Sequence, residues 1–578
     1  MKHMYILGIH DGHNASACLL KDGTVVAYVS EERFTRVKNQ RGFPAQSISW
    51  CLQDQHITGS DLDKIGLAAH HVPIIDLADP TTVTSWGDRI LRESSKIERA
   101  LPSEWGAALY GIFGRTSRQV LLRDRIKHVS KFLKVPEKKI DVVDHHTAHA
   151  YSAYYASPLR KDDTAVLTLD AEGDGLCSTV SVVKNGNLER IASTPYFSSL
   201  GWVYGATTQF LGMKPNEHEY KVMGLAPYAH PNDTERVFGK IESLIRLRDH
   251  SSFTSSINTR YTLDWMKHNI SSYRFDWIAG AVQKLCEQRM VEWVTSLAGE
   301  YGFRTFAVGG GVFLNVKANM LLLELPSVDE IFFLPSCGDE SLAMGAAFFA
   351  QTSIGDGHRV APLKSLYLGP EYVVSETDLL EIKSKGGVVV EHHADIEDTV
   401  ADLLVKGEIV ARFSGRMEWG ARALGNRSIM TRADDSEVVD VINRMIKQRD
   451  FWMPFAPTIL HERESDYIVN PKNASAPYMI LAFPSTPMGQ KHLRAAMHPA
   501  DKTLRPQLLD KDWNPGYHTI LKGFEKSTGF GGILNTSFNL HGEPIVCTPA
   551  DAISTFLRSG LANLAVGDFL IKKTREVS

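Results

Sequence analysis

Two histidines four residues apart, His145 and His149, lie in the stretch DVVDHHTAHAYSAYY. Rich in Ala and Tyr, the stretch is expected to be helical from Asp141 onward. At that spacing both imidazoles leave one face of a helix. After a short polar turn comes AVLTLDAEGDG, an apolar run from Ala165 to Leu169 that ends in Asp170 and a glycine-rich turn. It reads as a buried strand delivering a carboxylate at its C-terminal end. Two imidazoles and a carboxylate form an N/O donor set suited to a divalent metal. A lone histidine more often caps or packs, and a lone aspartate more often fixes its turn. The pair, with a glycine-flanked Asp close behind, favours the metal. His146, between them, is expected to face away.

A second chemistry is written further on. RFSGRMEWGARALGNRSIMTR carries Arg412, Arg416, Arg422, Arg427 and Arg432 among glycines. Guanidinium groups interleaved with Gly and Asn/Ser turns suit phosphate or carboxylate, which they grip bidentately. A helix is expected next, with an apolar stripe of Val438, Val441, Ile442, Met445 and Ile446, and with Asn443 and Lys447 four apart on another face. Prolines in KQRDFWMPFAP end it. DKTLRPQLL, with Arg505, and GGILNTSFNLHGEPIV follow.

The elements that hold these residues show an internal repeat. Met4 to Val29 reads strand YILGI, loop HDGHNAS, then a hairpin turning at Asp22-Gly23. Ala165 to Ile191 reads strand AVLTL, loop DAEGDG, then a hairpin turning at Asn185-Gly186. Each unit ends its first strand on an Asp (Asp11, Asp170) and turns with a type I′ signal. TFAVGGGVFLN adds a buried strand, then Gly309, Gly310 and Gly311, and Asn315 near a helix start. Glycines there allow close backbone approach to a ligand. IFFLPSCGDESLAMGAAFFA adds a strand, a loop with Asp339 and a small-residue helix. Two acidic strand-end loops and one glycine-rich loop, in this order, resemble the actin, sugar-kinase and Hsp70-like ATPase fold. P-loop and Rossmann signatures are absent. Ile65 to Ser130 reads as a helical insertion, placed around 65–130. A boundary is expected near Ile354 to Pro362, giving a first domain over 1–355 and a second over 356–578, with the last segment packing back on the first.

The chain has 578 residues, enough for roughly two to four domains. Hydrophobic residues make up 43% and charged residues 22%, the balance of an ordinary globular protein. A net charge of -4 argues against a nucleic-acid partner held by bulk electrostatics. Six cysteines without a C-x-x-C pair are expected to be buried thiols. The N-terminus reaches Asp and His too early for a signal peptide, and no long uncharged apolar run suggests a membrane span. The expected compartment is the cytoplasm.

GHNASACLLKDG, SEERFTRVKN, DHHTAHA, KVMGLAPY, GGGVFLN, GDESLAMGAA, GARALGNRSI, PFAPTIL, DKTLRPQ and NTSFNLHGEPIV span nearly the whole chain. Together they resemble the ATP-dependent O-carbamoyltransferases, enzymes acting on nodulation factors, cephems, aminoglycosides and ansamycins. The resemblance implies an α/β protein in two parts. An actin-like, threonylcarbamoyltransferase-like N-terminal domain is fused to a C-terminal domain like the threonylcarbamoyl-adenylate synthase. It implies that carbamoyl phosphate and ATP, with Mg2+, give carbamoyl-adenylate in the C-terminal domain. There Arg422, Lys447, Arg449 and Arg505 match anion-binding positions, and Asn535 and Ser537 match the N-T-S-F-N loop. It implies transfer of the carbamoyl group to a small-molecule hydroxyl in the N-terminal domain. There His145, His149, Asp170 and Asp339 match the ligands of a divalent metal, iron in characterised relatives, and His13 matches the histidine beside the acceptor. Asp11, Gly309, Gly310, Gly311 and Asn315 are expected on the nucleotide side of that domain. A homodimer is a further expectation. Met453 departs from the family, where Arg commonly precedes P-F-A-P; either another arginine, Arg449 or Arg427, substitutes, or the donor is held differently. One extra residue between His498 and Asp501 is a smaller departure. Two other readings compete: tRNA threonylcarbamoylation, and an actin-like ATPase acting as a regulator or scaffold without transfer chemistry.

Overall fold

A computed structural model describes residues 3–71, 121–184, 187–355, 357–374 and 387–574, with 376, 379–380 and 382 between. The chain divides into two compact units. One comprises Met1–Glu31 and Asn39–Lys364, the other Glu32–Lys38 and Ser365–Ser578.

The first unit contains two five-stranded sheets of the same topology. In the first, β1 (Tyr5–His10), β2 (Ser16–Lys21) and β3 (Thr24–Ser30) form an antiparallel meander, and β4 (Lys64–Ala68) and β5 (Ile140–Val143) add in parallel on the other side of β1. The order is β3-β2-β1-β4-β5. In the second, β6 (Thr164–Gly173), β7 (Leu176–Lys184) and β8 (Asn187–Pro195) form the meander. A small hairpin, β9 (Arg246–Asp249) with β10 (Ser252–Thr254), lies apart from it. Then β11 (Thr305–Gly309) and β12 (Glu330–Phe333) pair in parallel beside β6, giving β12-β11-β6-β7-β8. This duplicated sheet is the architecture expected of an actin-like ATPase fold. The apolar runs read as strands are fully buried at Ala165–Leu169 and Phe306–Val308, as strands covered on both faces must be. At the first hairpin both Asp22 (φ +49°) and Gly23 (φ +84°) are left-handed, as a type I′ turn requires. The second turn, Asn185-Gly186, lies outside the described residues.

Two expectations about elements need correction here. Asp141 to Val143 is strand, and the helix begins only at His145, where the Asp144 side chain caps it by accepting from Thr147 N. Ile65 to Ala68 is also strand, because its apolar residues complete the first sheet beside β1. Of the expected insertion, 72–120 lies outside the described residues, while 121–133 is helical.

The second unit is built on one mixed sheet of β13 (Val388–His392), β14 (Val410–Phe413), β15 (Arg427–Thr431), β16 (Ala456–Leu460), β19 (Gln507–Leu509), β20 (Gly532–Ser537), β21 (Asn563–Val566) and β22 (Phe569–Lys573). Its order is β13-β22-β21-β14-β15-β20-β16-β19. A two-residue pair, β17 (Phe483–Pro484) with β18 (Thr503–Leu504), stands beside it. The helices Ile396–Val405 and Pro515–Thr528 bury Val400, Leu404, Tyr517, Ile520, Leu521 and Phe524 in this unit's core. The last segment supplies β21 and β22, whose Leu564, Leu570 and Ile571 are fully buried. Glu32–Lys38, expected within the first domain, joins the second unit, with Arg33 donating to Gly420 O at 2.8 Å and Arg36 to Ile545 O at 2.6 Å. The helix expected through Ile446 is α-helical only over Glu437–Ile442 and then widens into a π-turn over Asn443–Lys447.

Candidate metal centre and anion site

In the first unit, helix His145–Ala156 and the C-terminal end of β6 deliver the expected donor set. His145 Nε2 and His149 Nε2 lie 3.2 Å and 3.1 Å from Asp170 Oδ2, and each lies 3.7 Å from Asp339 Oδ1. One ligand atom from each of the four residues falls within 4.8 Å of all the others. Two glycines permit this. A Cβ on Gly173 would stand 2.1 Å from the His145 ring, and one on Gly310, at φ +101°, would stand 2.4 Å from Leu169 O. Gly310 thus lets the glycine loop close onto the strand that carries Asp170.

The helix start is held by further carboxylates. Asp174 accepts from His145 N at 2.8 Å, and Arg190 pairs with the capping Asp144 at 2.6 Å. Burial disfavours a charged His145. The Asp339 and Asp170 carboxylates outweigh it and raise the imidazole to about 9. Burial likewise opposes a charged Asp170, yet the two histidines hold its carboxyl well below the usual range. Four such groups converging on one point form a site for positive charge, and the N2O2 set fits a divalent metal. His146 faces away from the set, as expected, but into the core. It is fully buried, bonded to Thr168 Oγ1 at 2.8 Å, and pushed down to about 3 by burial and its histidine neighbours.

His13 lies on the loop after β1, half-buried. The loop is tied to the turn bearing Asp339: Asn14 Nδ2 donates to Glu340 Oε2 at 3.4 Å, and Ser16 Oγ to Glu340 O at 3.0 Å. His10 Nε2 donates to the His13 carbonyl at 2.9 Å. The structure gives Asp11 and Asn315 internal partners. Arg125 clamps Asp11 at 2.9 and 2.6 Å, and Asn315 caps its helix and pairs amide to amide with Gln283 at 2.9 and 3.0 Å.

In the second unit the arginine-rich segment splits by role. Arg427 is fully buried, stacks 3.7 Å over Phe413, and donates to the carbonyls of Ser414, Gly415, Asn426 and Pro370. Arg412 is spent on Gly425 O, Asn426 Oδ1 and Glu397, and Arg432 on Asp434. Arg416 donates to the carbonyls of Leu368 and Gly369. These four are structural, a correction to the reading of all five as anion ligands. A guanidinium has enough donors to satisfy a loop's carbonyls, and here it does.

Arg422, Lys447, Arg449 and Arg505 behave differently. Lys447 Nζ reaches Ser537 O (2.5 Å), Ser537 Oγ (3.2 Å) and Asn539 Oδ1 (2.9 Å). Burial, Arg449 and Lys38 push Lys447 well below its usual value. Burial, Arg422 and Arg449 do the same to Arg505. Cations removed from water and facing one another make a site for a polyanion. Met453 is buried, leaving Arg449 as the candidate replacement for the family's arginine, since Arg427 is committed to carbonyls. Arg449 stacks over Phe455 at 4.8 Å and donates to Thr536 Oγ1 at 3.2 Å.

The sequence reading missed Lys38, Asn539 and Arg125. Asn539 sits in the quoted N-T-S-F-N loop, and Lys38 in SEERFTRVKN, so both were within reach. Arg125 carried no signal. Among the described residues, no helix is long and apolar enough to cross a membrane.

Comparison with known proteins identifies the family. The "Carbamoyltransferase N-terminus" family matches residues 5–348 and the "Carbamoyltransferase C-terminus" family residues 401–573. An uncharacterized protein of Methanocaldococcus jannaschii is 32% identical over 99% of this chain and 100% of its own. The nodulation protein NolNO of Sinorhizobium fredii is 29% identical over 97% of this chain and 79% of its own. A 3'-hydroxymethylcephem-O-carbamoyltransferase of Amycolatopsis lactamdurans is 30% identical over 45% of this chain and 47% of its own. With both halves matched and a relative aligned end to end, the chain belongs to the carbamoyltransferase family.

Proposed function

We propose that the protein is an ATP-dependent O-carbamoyltransferase that activates carbamoyl phosphate in its second unit and carbamoylates a small-molecule hydroxyl in its first. Carbamoyl phosphate, ATP and water give carbamoyl-adenylate, phosphate and pyrophosphate; the acceptor hydroxyl then displaces AMP. The observation that carries this is the pairing of two distinct sites in one chain: a cation cluster in one unit and an N2O2 donor set in the other. A regulator or scaffold has no use for the first, and an acidic chain is poorly suited to tRNA.

In the second unit, Arg422, Lys447, Arg449 and Arg505 neutralise the phosphates of carbamoyl phosphate and Mg-ATP. Ser537 lies against Lys447 and orients it. In the first unit, His145, His149, Asp170 and Asp339 hold a divalent metal, with iron the one the resemblance implies. When bound, it supplies Lewis-acid polarisation of a carbonyl or phosphate oxygen. His13 removes the acceptor hydroxyl's proton, since an alcohol is a poor nucleophile at neutral pH and imidazole is a suitable base. The nucleotide sits at the strand-end loops of Asp11, Gly309, Gly310, Gly311 and Asn315. The Asp11 and Asn315 side chains are paired internally, with Arg125 and Gln283, and shape these loops from within.

Incubation with carbamoyl phosphate and Mg-ATP tests this directly. Pyrophosphate release is the expected result; its absence in folded, metal-loaded protein rejects the reading. Mass gain of one carbamoyl group across a panel of polyols, aminoglycosides and hydroxymethyl compounds then identifies the acceptor.

A further inference from the structure

In the first unit, the chain leaves β4 through a bend that two charged side chains hold from opposite sides. Ala69 sits at φ +62°, in the left-handed region that a residue with a Cβ seldom occupies. Such a backbone persists only where its surroundings over-determine it. Arg125 donates to the carbonyls of Ala68 and Ala69 at 2.8 and 2.7 Å. Asp174 accepts from the N–H groups of His70 and His71, each at 2.8 Å. The carbonyls before the bend thus go to a cation, and the N–H groups after it go to an anion.

Each of these side chains has a second commitment. Arg125 clamps Asp11, on the loop after β1. Asp174 accepts from His145 N at 2.8 Å. His145 is the first residue of its helix, so that N–H has no partner within the helix, and a carboxylate is favoured there. Asp174 Oδ2 takes both His70 N and His145 N, while Oδ1 takes His71 N. One oxygen therefore joins the bend after β4 to the backbone of a residue in the donor set. Asp144 caps the same helix elsewhere, at Thr147 N.

The turn that carries Asp174 does not itself call for a carboxylate. Asp174 (φ +49°) and Gly175 (φ +87°) join β6 to β7 as a two-residue turn, both left-handed. Asparagine suits the first position of such a turn as well as aspartate does. The three converging N–H groups are what require acid. An amide offers them one oxygen, and its NH2 would face an N–H.

We propose that Asp174 is a positioning residue of the metal centre: its carboxylate fixes the backbone of His145 against the bend at Ala69 and so holds the His145 ring in the donor set. Through that bend, Arg125 and Asp174 register the loop of Asp11 against the helix that carries His145 and His149. The inference rests on the reading of His145, His149, Asp170 and Asp339 as metal ligands. Removing a partner that orients a ligand typically weakens metal binding by roughly 10–100-fold.

The test measures Co2+ binding to the full-length protein by equilibrium dialysis and by visible absorption, whose ligand-field bands report the geometry around the ion. Asp174→Asn keeps the turn and removes one acceptor oxygen; Asp174→Ala removes both. The native protein should bind most tightly, the Asn variant less so, and the Ala variant roughly 10–100-fold more weakly than native, with altered bands in both variants. His146→Ala is the control. It empties a buried position on the same helix without touching the bend, so it should lower thermal stability yet leave affinity and bands native. Native affinity and bands in the Asp174 variants would overturn the inference, as would a loss no larger than that of His146→Ala. If Asp174→Ala does not fold, Asp174→Asn, with its favoured Asn-Gly turn, makes the same comparison. Native protein that binds no Co2+ overturns the ligand assignment and this inference with it, a result distinct from native binding that Asp174 does not affect.

Discussion

His145 concentrates what a single residue decides in this protein. Its folded value near 9 lies above the ordinary 6.5. In metal-free protein the charged contact therefore stabilises fully below about pH 6.5 and is lost as pH rises through about 9. A metal needs the neutral ring, so apparent metal affinity should climb with pH across that same window, with proton release on binding. Titration calorimetry in buffers of different ionisation enthalpy checks this; a flat profile removes His145 from the ligand set. His149→Ala should abolish metal binding and transfer while leaving pyrophosphate release nearly intact, read by metal analysis and by the two assays run separately. His13→Ala should lower transfer by about 10²–10⁴-fold without touching activation. His13→Asn keeps a hydrogen-bonding group but cannot take the proton, so near-native transfer in that variant would make the role positional. His146→Ala is expected to spare the metal yet cost stability, because it empties a fully buried position.

At the scale of elements, the candidate metal centre depends on how closely β6 and the helix His145–Ala156 approach. Gly173→Ala places a methyl group 2.1 Å from the His145 ring, so the ring must move. Loss of metal from a protein with unchanged far-UV circular dichroism is the expected outcome; a fully loaded variant would show that His145 is not held by this packing. In the second unit, the π-turn after Ile442 brings Lys447 onto the end of β20, where it meets Ser537 and Asn539. Lys447→Ala should depress pyrophosphate release by roughly 10²–10³-fold. Preformed carbamoyl-adenylate should restore transfer, since the first unit is intact. Failure of that rescue in a folded variant would move Lys447 out of the activation site.

For the whole molecule, two units with separate ligands predict two separable responses. Pyrophosphate relieves the repulsion among Arg422, Lys447, Arg449 and Arg505, and at a hundredfold excess over its dissociation constant stabilises by about 2.7 kcal/mol. A divalent metal acts on the other unit. Scanning calorimetry should show each ligand raising a different transition, with the pyrophosphate effect shrinking in high salt. If pyrophosphate shifts neither transition, the cation cluster is not an anion site.

The repeat, the His145/His149 pair and the strand-end Asp170 were legible in the sequence because each rests on local periodicity: two residues for a strand, nearly four for a helix. So was the strand-and-loop order of the first unit, which follows from apolar runs punctuated by glycine. The sequence also named the candidate anion-binding residues, but only through the family resemblance. What tertiary structure decided was which polar groups are spent internally. Five arginines in one segment look alike in the sequence, yet four satisfy buried carbonyls and carboxylates, and only packing shows it. Asp11 reads as a ligand-facing carboxylate until Arg125, more than a hundred residues away, claims it. Asp141 and Ile65 read as helical, and became strand because a sheet edge needed partners from distant segments. The Oδ1 of Asn535 on β20, buried without a hydrogen-bond partner among the described residues, belongs to the same class. Hydrogen-bond satisfaction is a sum over neighbours that the chain brings together only on folding, and no local pattern carries it.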